Sequence, residues 1–152
     1  MSRFMVLIKA DPQTEGGVMP NEEIVAAMTN YNEQLARAGV LLAAEGLHPS
    51  SRGAKVTFSD PGTKVVDGPF TESKELIAGL WMLQCKSLEE CVEWVKRSPM
   101  AGMTGSGQPG QVEVEIREIF DADEFGAQYD PELRERERRI GEQMADNARA
   151  RN

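Results

Sequence analysis

Two stretches of the chain are apolar at consecutive positions, and they constrain the fold more than any other feature. The first is Phe4-Met5-Val6-Leu7-Ile8, and the second spans residues 76–83. Successive side chains of a β-strand point to opposite faces, so a strand that is apolar at consecutive positions must be covered on both sides. The sequence therefore predicts two central strands of a sheet, strand A over residues 4–9 and strand C over residues 76–83.

An amphipathic helix is predicted between strand A and the next strand. Its apolar side chains recur at the helical spacing: Ile24, Met28, Tyr31, Leu35 and Ala38. Pro20 suits the first turn of this helix, and Gly39 suits its end. The apolar run at residues 40–44 then predicts strand B.

Three other segments alternate between apolar and polar residues, as half-buried strands do. Residues 55–58 and 64–66 flank Asp60-Pro61-Gly62, which suits a tight turn, so they predict a hairpin. Strand D is predicted where three apolar residues alternate with three polar ones: Val112, Val114 and Ile116 with Glu113, Glu115 and Arg117.

A second helix is predicted between strands C and D. Ser87 and Glu90 have the spacing of a capping box, and Ser98-Pro99 ends the helix. Its apolar stripe comprises Leu88, Cys91, Val92 and Val95. The resulting order, β-α-β, hairpin, β-α-β, is the ferredoxin-like split β-α-β pattern. This is an α+β fold whose antiparallel sheet carries both helices on one face.

The second face of this sheet needs a cover, because two helices cannot shield both faces of strands A and C. A contiguous apolar patch of this kind exceeds what soluble monomers usually expose. We expect a homodimer that packs sheet against sheet, as a two-fold dimer allows. The alternative is that the C-terminal segment folds back over this face, but Leu133, Ile140 and Met144 give it only a thin apolar stripe.

Length and charge bound the class of protein. The 152 residues suit one domain over residues 1–122, followed by a charged helical extension over residues 123–152 laced with Glu/Arg pairs. A net charge of −8 argues against direct binding to nucleic acid or to anionic membranes. The apolar run at residues 4–8 is too short to span a bilayer, and two cysteines make no disulfide framework, so we expect a cytoplasmic protein.

The sequence around Asp67-Gly68-Pro69-Phe70, continuing through residues 71–81, carries a recognisable signature. Shorter matching pieces lie elsewhere in the chain: residues 31–33, 46–49, 87–90 and 115–117. Over about residues 1–120 the chain resembles the DGPF branch of the YCII-related family. The resemblance implies a ferredoxin-like fold that dimerises as an α/β barrel.

The same resemblance implies an enzyme of unassigned chemistry, and for some members a partnership with an extracytoplasmic-function sigma factor. A histidine and an aspartate are proposed as site residues in the shorter YCII branch, where the histidine lies on the first helix. The predicted first helix here contains no histidine, so that pair does not transfer.

His48 is the candidate catalytic acid or base. It is the sole histidine, it follows strand B in a loop, and an unperturbed imidazole changes charge close to neutral pH. Asp67 is the candidate carboxylate that orients it, and Glu75, which immediately precedes the buried strand C, is a candidate acid or base. The simpler alternatives are a loop histidine bonded to backbone and an aspartate that caps its own turn.

Ligand contacts are expected from three other side chains. Glu115 and Arg117 share the polar face of strand D and pair a carboxylate with a guanidinium. Trp81 belongs to the apolar floor formed by strands A and C. The sequence Gly105-Ser106-Gly107-Gln108-Pro109-Gly110 matches G-x-G-x-x-G, but it follows a helix and opens a strand, so we interpret it as a flexible loop.

Two function classes follow. The first is a cofactor-independent enzyme, without a bound metal, that performs proton transfer, isomerisation or hydrolysis on a small organic molecule in the dimer cleft. The second is a non-catalytic ligand-binding or regulatory module, with a sigma factor or another protein as its partner. A dimeric scaffold without a ligand is the third alternative.

Overall fold

Four strands form an antiparallel sheet in the computed structural model, which describes residues 1–101, 109–128 and 130–150. The elements are β1 (Ser2–Lys9), α1 (Pro12–Glu15), α2 (Glu22–Arg37), β2 (Leu41–Gly46), β3 (Ala54–Ser59), β4 (Gly62–Asp67), β5 (Ile77–Cys85), α3 (Leu88–Lys96), β6 (Val114–Glu118) and α4 (Pro131–Ala150). The order across the sheet is β2-β5-β1-β6, and β3 and β4 pair separately as a hairpin. This arrangement confirms the predicted α+β fold of the ferredoxin-like type.

The chain divides into two compact units, Met1–Ile119 and Phe120–Asn152. In the first unit, one face of the sheet and both long helices share a core. The sheet contributes Phe4, Val6, Ile8, Trp81, Leu83 and Cys85, and the helices contribute Ile24, Tyr31, Leu35 and Cys91, all buried. Because the sheet residues alternate along β1 and β5, both helices pack on the same face, as predicted.

The second face of the sheet carries the other apolar set. Met5 lies opposite Met82, and Leu7 lies opposite Leu80, on neighbouring strands β1 and β5. All four side chains are intermediate in burial. The central strands therefore carry apolar side chains on both faces, as predicted. A second copy of the chain that covers the second face remains a prediction.

The start of α2 differs from the sequence-based expectation, whereas its end agrees with it. The prediction that Pro20 lies in the first helical turn is wrong, because α2 begins at Glu22 and is capped by Asn21, whose Oδ1 accepts from the Ile24 N–H at 2.9 Å. Asparagine is among the strongest N-caps, so it sets the boundary. At the other end Gly39 has φ 74°, a conformation that favours glycine and ends the helix as predicted.

Helix α3 follows the prediction apart from one residue. Ser87 Oγ accepts from the Glu90 N–H at 3.2 Å, while the Glu90 carboxylate accepts from the Lys86 N–H at 2.6 Å. Leu88, predicted for the apolar stripe, is 47% exposed, whereas Cys91 is fully buried. Burial, together with Cys85, raises the pKa of the Cys91 thiol to about 12.

The second unit contains a short 3₁₀ segment and α4. Helix α4 is exposed along its length apart from Glu135, and ion pairs link Glu135 to Arg138 and Arg139. Those two guanidinium groups lower the pKa of the Glu135 carboxyl to about 2. No helix in the described part of the chain is both long enough and apolar enough to cross a membrane.

Candidate functional site

A cavity of about 500 Å³ lies on the helix side of the sheet in the first unit. Its walls come from the α1–α2 connection, one face of α2, the end of β2 with the loop that follows, and the start of β5. Most of the lining is apolar, including Ile8, Ile24, Met28, Trp81 and Met100. A mostly apolar cavity with a few polar groups is the usual form of a small-molecule site.

Trp81 is held rigidly at the cavity wall. Its indole Nε1–H donates to Asn32 Oδ1 at 2.8 Å, and its ring packs edge-on to Tyr31, with the two centroids 5.5 Å apart. The Tyr31 hydroxyl in turn donates to the Trp94 carbonyl at 2.6 Å. Burial raises the pKa of Tyr31 to about 12, so this hydroxyl remains a donor at neutral pH.

His48 lines the same cavity and is itself exposed. It lies between β2 and the 3₁₀ turn Ser50–Arg52, and Arg52 Nη1 is 3.0 Å from its Nε2 and 3.2 Å from its Nδ1. A guanidinium has no acceptor, so Arg52 can donate only to an unprotonated ring nitrogen. The ring is thus placed where both the cavity and solvent can reach it.

The two predicted carboxylate partners are placed elsewhere. Asp67 ends β4, opposite Ala54, and is exposed. Glu75 is exposed in the 3₁₀ turn Ser73–Glu75, so its expected position against the buried strand is not observed. Neither is among the described residues that line the cavity, whereas Glu45 is.

Glu115 and Arg117 form a second polar group on β6. Their side chains lie 3.3 Å apart, and the Glu115 carboxylate also pairs with Lys9 Nζ at 3.0 Å. The hydrogen bonds from Lys9 and then Arg117 lower the pKa of Glu115 below its usual value. In register, Glu115 lies opposite Leu7, on the second face of the sheet, so this pair is not part of the cavity lining.

The structure thus brings together His48 and Trp81 of the predicted site residues. Sequence reasoning missed two polar partners of theirs: Asn32, which binds Trp81, and Arg52, which contacts His48. Arg52 had a detectable signal, because it follows His48 by four residues. Asn32 follows the core residue Tyr31 on the predicted helix, but its position in the helical repeat does not predict the hydrogen bond to Trp81.

Comparison with known proteins adds the family. Residues 2–124 match the model of the YCII-related domain. The chain belongs to the YCII-related family. The match covers the whole sheet, both long helices that pack on it and the cavity.

Comparison with known proteins also found two similar proteins. An uncharacterized protein of Rhizobium meliloti (strain 1021) is 29% identical over 76 residues, which cover 50% of this chain and 61% of that relative. This YCII-related chain therefore matches about three-fifths of the curated relative's length. The solved structure of 5-chloro-2-hydroxyhydroquinone dehydrochlorinase (TftG) from Burkholderia phenoliruptrix AC1100, in complex with 2,5-dihydroxybenzoquinone, is similar with a TM-score of 0.40 and 15% identity. That similarity covers 82% of this chain and 98% of the other.

Proposed function

We propose that the protein is a cofactor-independent enzyme that binds a small organic molecule in the cavity and transfers protons through His48. The observation that carries the proposal is the position of the sole histidine, exposed to solvent and lining a mostly apolar cavity of about 500 Å³. This volume lies within the range of typical small-molecule sites, roughly 300–1,000 Å³.

His48 serves as the acid/base group. A neutral ring nitrogen can accept a proton from the bound molecule, and the resulting imidazolium can return it at another atom, which amounts to an isomerisation. Arg52, beside the ring, supplies positive charge for an anionic group on the substrate.

The proposal assigns no second acid/base group to Asp67 or Glu75, because both are exposed and neither is among the described residues that line the cavity. Glu45 borders the cavity at the end of β2, but it pairs with Leu80 on the second face of the sheet, so its carboxylate lies on the face away from the cavity. In this proposal Asp67 stabilises the turn at the end of β4, and Glu75 is a solvent-exposed surface residue.

The alternative function is a non-catalytic ligand-binding or regulatory module. One observation favours it: the partner of the His48 ring is a guanidinium rather than the carboxylate that commonly orients a catalytic histidine. In this version the cavity senses a ligand, and the resemblance to the DGPF branch adds a sigma factor as the proposed protein partner.

Three further proposals accompany either version. Residues 67–70 support membership of the DGPF branch. The half-buried apolar side chains of Met5, Leu7 and Met82 support a homodimer through the second face of the sheet. The composition supports a cytoplasmic location.

Ligand binding at the cavity can be measured through Trp81. The protein has two tryptophans, so Trp94→Phe leaves Trp81 as the only one. We expect compounds from a screen of small organic acids and phenols to shift the emission of this variant and to raise its melting temperature. Gly46→Leu, which adds a side chain at a lining position where a Cβ meets nothing within 4 Å, should abolish both effects. If Gly46→Leu left both effects intact, the ligand would be bound elsewhere.

A further inference from the structure

Ser50 joins three segments that are distant in sequence. Its N–H donates to the Glu15 carboxylate at 3.0 Å, and its hydroxyl donates to the same carboxylate. The hydroxyl oxygen also accepts from the Phe70 N–H at 2.9 Å. The hydroxyl therefore uses both its donor and its acceptor capacity, and it ties α1 and the segment after β4 to the loop after β2.

Backbone packing at Gly68 adds to this junction. A Cβ at Gly68 would lie 2.5 Å from the carbonyl carbon of Ser50, a distance that no side chain can adopt without a backbone shift. The Gly68 N–H donates to the Gly53 carbonyl at 2.9 Å. Glycine is needed here because the two backbones approach closely. The segment Asp67-Gly68-Pro69-Phe70 therefore packs directly against the turn that contains Ser50.

The junction lies directly behind the cavity wall. Thr14, which precedes Glu15, and Pro49, which precedes Ser50, both line the cavity. Ser50 is only two residues from His48, so the short backbone link between them couples their positions.

We infer that Ser50, bound by Glu15 and by the Gly68–Phe70 backbone, is a positioning residue that fixes His48 at the cavity. The inference rests on the proposed function for what His48 does, and it deepens that function by naming the groups that hold the ring in place. It also gives the Asp67-Gly68-Pro69-Phe70 signature a role that requires no contact with the substrate.

The sole histidine makes the test direct, because its imidazole gives one set of nitrogen resonances in a long-range ¹H–¹⁵N spectrum. Ser50→Ala removes the hydroxyl junction. We expect its His48 ring resonances to shift towards those of free histidine. The matched control is Ser87→Ala, which removes the N-cap of α3 away from this loop and should leave the His48 resonances at their wild-type positions.

A second pair of variants keeps the test decisive if Ser50→Ala fails to fold. Glu15→Ala should shift the His48 resonances in the same direction, and Glu15→Gln, which retains an acceptor oxygen for Ser50, should restore most of the wild-type spectrum. Wild-type His48 resonances in Ser50→Ala or Glu15→Ala would overturn the inference, as would an equal shift in Ser87→Ala.

These spectra do not depend on any substrate. If His48→Gln left turnover of an identified substrate unchanged, the proposed function would fail while the shifts in Ser50→Ala could still be present. If the shifts were absent but His48→Gln lost activity, the positioning inference alone would fail.

Discussion

Among the glycines that the structure describes, Gly68 has the least room for an added side chain. Gly68→Ala would place a methyl group against the Ser50 backbone, at 2.5 Å from its carbonyl carbon. Overpacking of this kind typically costs about 1–3 kcal/mol, so we expect a loss of unfolding free energy in that range in urea denaturation. Gly62→Ala is the matched control, because a Cβ there meets nothing within 4 Å; an equal loss in both variants would contradict the close approach.

Tyr31 predicts how stability depends on alkaline pH. Its pKa is raised from 10.0 to about 12 by burial, so between these values the unfolded chain loses the phenol proton while the folded chain keeps it. The unfolded state then binds fewer protons, and stability falls as pH rises from about 10 to 12, by at most about 1.4 kcal/mol per pH unit for one group.

Urea denaturation at pH 8, 9, 10 and 11 tests this prediction. Tyr31→Phe should be less stable than wild type at pH 8, because it loses the hydrogen bond to the Trp94 carbonyl, but its stability should fall less steeply above pH 10. Parallel stability curves for the two proteins would refute the assigned role of the buried phenol.

At the residue scale, His48 is a candidate from the sequence because it is the sole histidine and follows a strand, and the structure places it at the cavity. The sequence does not predict the partners of His48. The sequence indicates Asp67 and Glu75 through their chemistry and their neighbours along the chain, whereas contact with the cavity depends on where β2, α2 and β5 meet. Asn32 meets Trp81 at the cavity wall because α2 packs on β5 there, and spacing along one element does not encode that contact.

At the scale of elements, capping decides where helices begin. Ser87→Ala removes the acceptor of the Glu90 N–H and should lower the unfolding free energy by about 1 kcal/mol. Ser87→Asp keeps an equally good cap and adds a favourable charge at the helix N-terminus, so it should match wild type. Equal destabilisation by alanine and aspartate in urea denaturation would show that the hydroxyl does not act as the cap.

Strands β1 and β5 were predictable because burial on both faces leaves an unbroken apolar run in the sequence. The sequence does not predict helix α1, because this helix has only four residues and no apolar stripe. Asp11 and Thr14 form its capping box, but the surrounding sequence is typical of a loop. Helix α2 begins at Glu22 rather than at the predicted Pro20, because the Asn21 side chain caps the helix.

At the scale of the whole molecule, we predict a dimer because the second face of the sheet has half-buried apolar side chains. Met82→Glu would place a charge among the half-buried apolar side chains there, and we expect it to shift the sedimentation coefficient from that of a dimer to that of a monomer. Ala26→Glu, at an exposed position on α2, should leave the assembly unchanged. A wild-type chain that sediments as a monomer at micromolar concentration would contradict the predicted dimer.

The fold class followed from the order of the elements, and the observed sheet order agrees with it. The cavity could not be predicted in the same way. The sequence pointed to a cleft between two sheets, whereas the described cavity lies on the helix side, where Met19, Met28 and Trp81 leave space between α2 and the sheet. The size of such a cavity depends on how side chains from several elements pack around it. Apolar periodicity in the sequence shows only which face of an element is buried.

The central claim is that His48 transfers protons to or from a small molecule bound in the cavity. The most direct test incubates a compound that shifts Trp81 emission with wild-type protein and with His48→Gln, and follows its conversion by mass spectrometry and NMR. The account predicts conversion by wild type and a loss of more than about tenfold in turnover for His48→Gln. An unchanged compound in the presence of wild type, or equal turnover by both proteins, would contradict it.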